Sequence, residues 1–137
     1  MRAILIDPKL QLVTEIALPN DEREMNTAMR SVIGCDGMDH AMIDDLRDSL
    51  WVDDGGLNRG EPVFAFRLAY PTPFAGKGII VGADEYGRTR APLIPIDFLR
   101  AKITWVGLIV PEVSWVDEPG GVRAVVTYSR PKASGAT

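Results

Sequence analysis

Residues 51–84 read WVDDGGLNRGEPVFAFRLAYPTPFAGKGIIVGAD, and the fold turns on how this stretch is read. Asp53-Asp54-Gly55-Gly56 is reversal chemistry, since glycine takes positive φ where a side chain would clash. Val63 to Tyr70 then alternates as a strand, with Phe64, Phe66 and Leu68 on one face. Pro71-Thr72-Pro73 forces extended backbone and a break. Gly78 to Ala83 (GIIVGA) is apolar on both faces, which predicts a central strand, and Asp84-Glu85-Tyr86-Gly87 turns it. The stretch predicts two or three strands joined by glycine-punctuated turns.

Working outward, Arg2 to Asp7 is a short apolar strand stopped at Pro8, and Gln11 to Leu18 alternates after a tight Asp7-Pro8-Lys9 turn. The pair predicts a hairpin. Asn20 is read as the cap of a helix over about 21–33, with Met25, Ala28, Met29, Val32 and Ile33 forming one apolar stripe and Gly34 ending it. His40 to Asp44 and Ser49 to Asp53 predict two strands around a polar turn. A second helix is expected over about 95–102, starting at Pro95, with Ile96, Phe98 and Leu99 inward. Ile103 to Leu108 returns as a strand. Val110 to Val116 and Val122 to Ser129 flank Asp117–Gly121 as a further hairpin.

These elements predict an α+β fold: a mostly antiparallel sheet packed against one main helix and a short second one, with an added C-terminal β-hairpin. One domain is expected over 1–129, with 108–129 as the appended hairpin and 130–137 as a loose tail.

Composition narrows the function classes. The 137 residues are 46% hydrophobic and 25% charged, average for a globular chain. The net charge of −4 argues against a phosphate-backbone partner, which needs a basic face. Cys35 and His40 are each the only residue of their kind, so internal disulfides and two-histidine mechanisms are out. No apolar run nears the ~18 residues of a membrane span, and the N-terminus lacks the ~7–15-residue apolar core of a secretory signal, so a cytoplasmic location is expected.

Several constellations invite chemistry, and each has a plainer structural reading. Phe74, Gly76, Lys77 and Gly78 suggest an anion-binding loop, with Arg88 as a further cation. A phosphate loop, however, follows a strand and opens a helix, whereas these glycines open a strand. Asp44, Asp45, Asp53, Asp54 and Asp84 suggest a metal or paired-carboxylate centre, yet all five sit at expected turns. Cys35 follows a helix C-terminus, where the dipole raises a thiol pKa. Arg88, Arg90, Arg100 and Lys77 read as a solvated face. Trp115 stands out because its hairpin, with Val113 and Val125, must cover an exposed edge, its own or that of a second copy. A homodimer through that hairpin is therefore one expectation.

The phrases RAILIDP, WVDDGGL, YPTPFAGKGIIVGADEYG and ITWVG resemble a family of small uncharacterised proteins of phages, plasmids and integrated mobile elements, over about residues 1–107. The Asp36–His40 segment and everything from Leu108 depart from that pattern. The resemblance implies an accessory protein that acts by binding something of the host, and it carries no reaction and no catalytic residues. The leading expectation is thus a non-catalytic protein-binding protein with no cofactor, metal or catalytic set. Its interface would include Val113, Trp115 and Val125. The alternative is a binder of a small anionic ligand or nucleotide through 73–78. A metal-assisted hydrolase using Asp53, Asp54 and Asp84 ranks last.

Overall fold

In the computed structural model, which describes residues 1–131, the central strand is the one with apolar side chains on both faces. That strand, β7 (Gly78–Ala83), lies between β1 (Arg2–Asp7) and β4 (Asp48–Asp53). β2 (Leu12–Ala17) flanks β1, β3 (Met38–Met42) flanks β4, and the short β8 (Thr89–Arg90) pairs the end of β7. All these pairs are antiparallel.

Register sorts the side chains into two faces. Leu5, Ile79 and Trp51 stand level across three strands, as do Ile4, Ile80 and Leu50 on the opposite face. The first face receives α1 (Glu22–Ile33), whose Met25 and Met29 are buried against Ala3, Ile79 and Val81. Asp21 caps this helix, its carboxylate accepting the Glu24 N–H at 3.0 Å. The expected cap, Asn20, lies one residue too early; either side chain has the chemistry, and Asp21 has the extended backbone that a cap requires. Gly34 ends the helix at φ +80.

The other face is closed by a second sheet, and here the expected architecture is corrected. A single sheet against one main helix was anticipated; the chain builds two sheets, and strand far outweighs helix. β5 (Val63–Arg67), β6 (Phe74–Ala75), β9 (Thr104–Glu118) and β10 (Gly121–Ser129) form the second, in the order β10-β9-β5-β6. Phe66, Leu68 and Ile103 from this side, with Leu99 of α2 (Ile96–Lys102), pack on Ile4, Ile6, Leu50 and Ile80. The Gly55–Pro62 turns carry β5 off the first sheet, and alternation reveals a strand's faces without revealing its neighbour.

Two smaller expectations also change. Phe98 is exposed, with the Lys102 ammonium over its ring at 5.2 Å, because a seven-residue helix buries only a narrow stripe and Leu99 takes it. No break falls between Leu108 and Val110: β9 runs unbroken for 15 residues. Its first part pairs β5 and its second pairs β10, with Gly107 at φ +87 opposite a register shift at Ala65/Phe66. The terminal hairpin is therefore the continuation of a core strand. Arg130 donates to the Val106 and Leu108 carbonyls at its base. From Lys132 on, the expected tail lies outside the described residues.

Candidate functional site

Where Val52 and Phe74 border the core between the two sheets, a groove of about 630 Å³ opens. One wall is the inner face of β3–β4, with Asp39, Ala41 and Val52. The floor is Tyr70, Pro73 and Phe74. Phe74 rests on Phe66 at 5.6 Å between centroids and on the Tyr70 ring edge-on at 6.0 Å. The Tyr70 hydroxyl donates to the Met42 carbonyl at 2.6 Å, tying the floor to β3. The opposite wall is the hairpin, where Val113 faces Val126 and Trp115 faces Ala124 across the β9–β10 ladder. Trp115 is 71% exposed, beside a concave apolar surface.

Of the residues expected at an interface, Val113 and Trp115 line this groove. Val125 pairs Ser114 and so stands on the hairpin's other face. Ala124 and Val126, on the groove face, are the neighbours that sequence reasoning passed over; knowing the pairing register, with Val126 opposite Val113, would have found them.

The expected ligand residues are separated. Phe74 belongs to the groove, whereas Gly76 and Lys77 line a different cleft beside Lys9 and Phe64. Gly78 is buried in the core: a Cβ there would lie 2.7 Å from Leu50 Cδ1. Arg88 lies past the far end of β7, its guanidinium over the Tyr86 ring at 5.7 Å. Six strand residues separate Lys77 from that end, about 20 Å. They do not converge on one ligand.

The aspartates divide in the same way. Asp53 and Asp54 sit at the end of β4 and Asp84 at the end of β7, and the two strands run antiparallel. The ladder therefore holds Asp84 at the opposite end from the other two, and the hydrolase reading is dropped. Asp84 accepts the Tyr86 and Arg88 N–H groups at 2.9 Å each, and Asp44 accepts those of Leu46 and Asp48. Both are turn-forming carboxylates. Among the described residues no three His, Cys, Asp or Glu side chains gather as an ion site.

Burial, then the carboxylates of Asp53, Asp54 and Asp36, push the Cys35 thiol up, which makes it a poor nucleophile. His40 stacks on Trp51 at 4.6 Å as its cross-strand partner.

Asp53 carries a pH signature. Burial alone would raise its carboxyl; hydrogen bonds from the Arg59 guanidinium and the Gly55 N–H, with the Arg59 charge, outweigh burial and hold it below the usual value. Its stabilising contribution is complete above the unfolded value of ~3.9 and is lost as pH falls through the lowered folded value. Asp53→Asn is expected to melt below wild type at pH 7, with the two melting temperatures converging by pH 2. A gap independent of pH would show that the ion pair contributes nothing and that only geometry was lost.

One acidic residue escaped the sequence reading altogether. Asp48, placed in a polar turn, is fully buried at the start of β4. It accepts the Leu93 and Ile94 N–H groups at 3.0 and 2.8 Å and the Arg90 guanidinium at 3.4 Å. Gly82 makes room for this cluster, since a Cβ there would sit 2.1 Å from Arg90 Nη1. Asp44 lies beside it: burial, then a hydrogen bond shared with Asp48, raise the Asp44 carboxyl. The Asp44 Oδ2 is buried without a hydrogen-bond partner. The cluster ties the Ala91–Pro95 segment, and with it α2, to the first sheet.

The description "Domain of unknown function (DUF3846)" matches residues 1–97. The chain belongs to that family. The match ends inside α2, so the ITWVG phrase, β9 and β10 lie beyond it, and the hairpin wall of the groove with them. The family region supplies the other wall and the floor. No curated protein and no solved structure matches the chain. No helix among the described residues is long and apolar enough to cross a membrane.

Proposed function

We propose that this protein acts by binding another polypeptide, without catalysis, in the groove between β3–β4 and the terminal hairpin. The observation that carries the reading is Trp115, largely exposed on a strand that continues out of the core and facing an apolar floor of Phe74 and Tyr70. Tryptophan and tyrosine beside a pocket are the residue types that dominate interface energetics. A side chain held on a long paired strand loses little entropy when a partner covers it. The mobile-element setting rests on the sequence resemblance, and it makes a host protein the first partner to seek.

The test replaces Trp115 with a photocrosslinking phenylalanine and, separately, with alanine. The crosslinker is expected to trap one stoichiometric partner in host cells. Trp115→Ala, folded by circular dichroism, is expected to lose at least roughly 90% of recovery, as a hot spot worth ~2 kcal/mol implies. Equal recovery by the alanine variant, or no adduct at all, overturns the reading.

A further inference from the structure

The groove is electrically lopsided. Asp39, Asp53 and Asp54 all line it, and among the described residues no lysine or arginine does. Arg59 answers Asp53 from outside. Among the described residues, neither Asp39 nor Asp54 has a cation within ion-pair distance. Asp117 stands on the same hairpin face as Trp115, two residues nearer the tip, also without an ion pair. An apolar cleft whose rim holds uncompensated carboxylates beside low-dielectric walls concentrates cations and repels anions.

We infer that the groove takes an extended polypeptide segment in which an aliphatic or aromatic side chain is flanked by lysine or arginine. This rests on the binding reading above and names its partner's chemistry. The apolar side chain fills the space between Phe74 and Trp115, and the flanking cations meet Asp39 and Asp54. Among the described residues β3 pairs only β4 and β10 pairs only β9, so both walls present an outer edge, which suits an extended occupant. Phosphate-bearing partners are disfavoured because their charge matches the rim's. A second copy is disfavoured on the same ground: it carries a net charge of −4 and presents Asp117 at its own hairpin.

The experiment is selection of a random displayed 12-residue peptide library on the immobilised full chain, followed by binding of the enriched synthetic peptides. Expected are peptides with Lys or Arg next to a bulky apolar residue. Affinity should fall roughly fivefold or more in the folded Asp39→Asn/Asp54→Asn double variant and with raised salt. Trp115→Ala should abolish binding to the same peptides. Enriched peptides of neutral or acidic composition that still need Trp115 overturn the charge inference and leave the binding reading standing. Absence of any Trp115-dependent peptide overturns both. Sedimentation that finds wild type dimeric and Trp115→Ala monomeric assigns the groove to a second copy and overturns the inference.

Discussion

Asp48→Ala is expected to cost about 3–5 kcal/mol, the range for removing one partner of a buried ion pair. The carboxylate is fully buried and is the acceptor for two backbone N–H groups and a guanidinium. Alanine leaves the Leu93 and Ile94 N–H groups without this acceptor, and the Ile94 bond is buried, where an unsatisfied donor costs ~1–3 kcal/mol. Arg90 keeps the Ala91 and Leu46 carbonyls, so its charge is not wholly abandoned, which holds the estimate below the sum of the separate losses. Against a total stability of ~5–15 kcal/mol, the loss lowers the melting temperature by roughly 10–20 °C or unfolds the chain outright. Calorimetry and urea titration read it. A loss under ~1 kcal/mol would mean that water replaces the carboxylate and that the Ala91–Pro95 segment is held by other contacts.

Phe66→Ala is expected to cost a similar ~3–5 kcal/mol by a different route, lost transfer energy plus an unfilled cavity. Phe66 is among the largest fully buried side chains and fills the space between the sheets. It supports the Phe74 ring that floors the groove, and it closes on Gly78, where its Cζ lies 3.1 Å from the position of a Cβ. The surroundings have little freedom to collapse, because β5 is pinned on one side by β9 and on the other by β6. Urea unfolding should show a shifted midpoint with an unchanged slope. A loss near ~1 kcal/mol would show that the sheets close over the gap.

The two variants touch different parts of what the sequence disclosed. GIIVGA read as a central strand because apolar residues on both faces have no other economical placement, and β7 is that strand. The methionines at i and i+4 of α1 marked its buried stripe for the same local reason. Sheet membership was hidden, because β5 and β9 alternate identically whether they join β7 or each other. Asp48 was hidden too. An aspartate in DDLRDS looks solvent-facing, and only Leu93, Ile94 and Arg90, 42 or more positions away, make it an interior acceptor. Trp115 was conspicuous as an apolar residue on a late hairpin. The floor it faces comes from the segment around Phe74, which had drawn an anion-loop reading from two glycines, one serving a positive φ (Gly76) and one close packing (Gly78).

β9 has a mechanical consequence. It is one continuous strand, paired at five positions with β5 across a bulge at its inner end and presenting Trp115 toward its outer end. A pull along that strand loads the inner ladder in shear, so the rungs on either side of the bulge share the force instead of breaking in succession. A protein seized at its tip in this way holds on with its core.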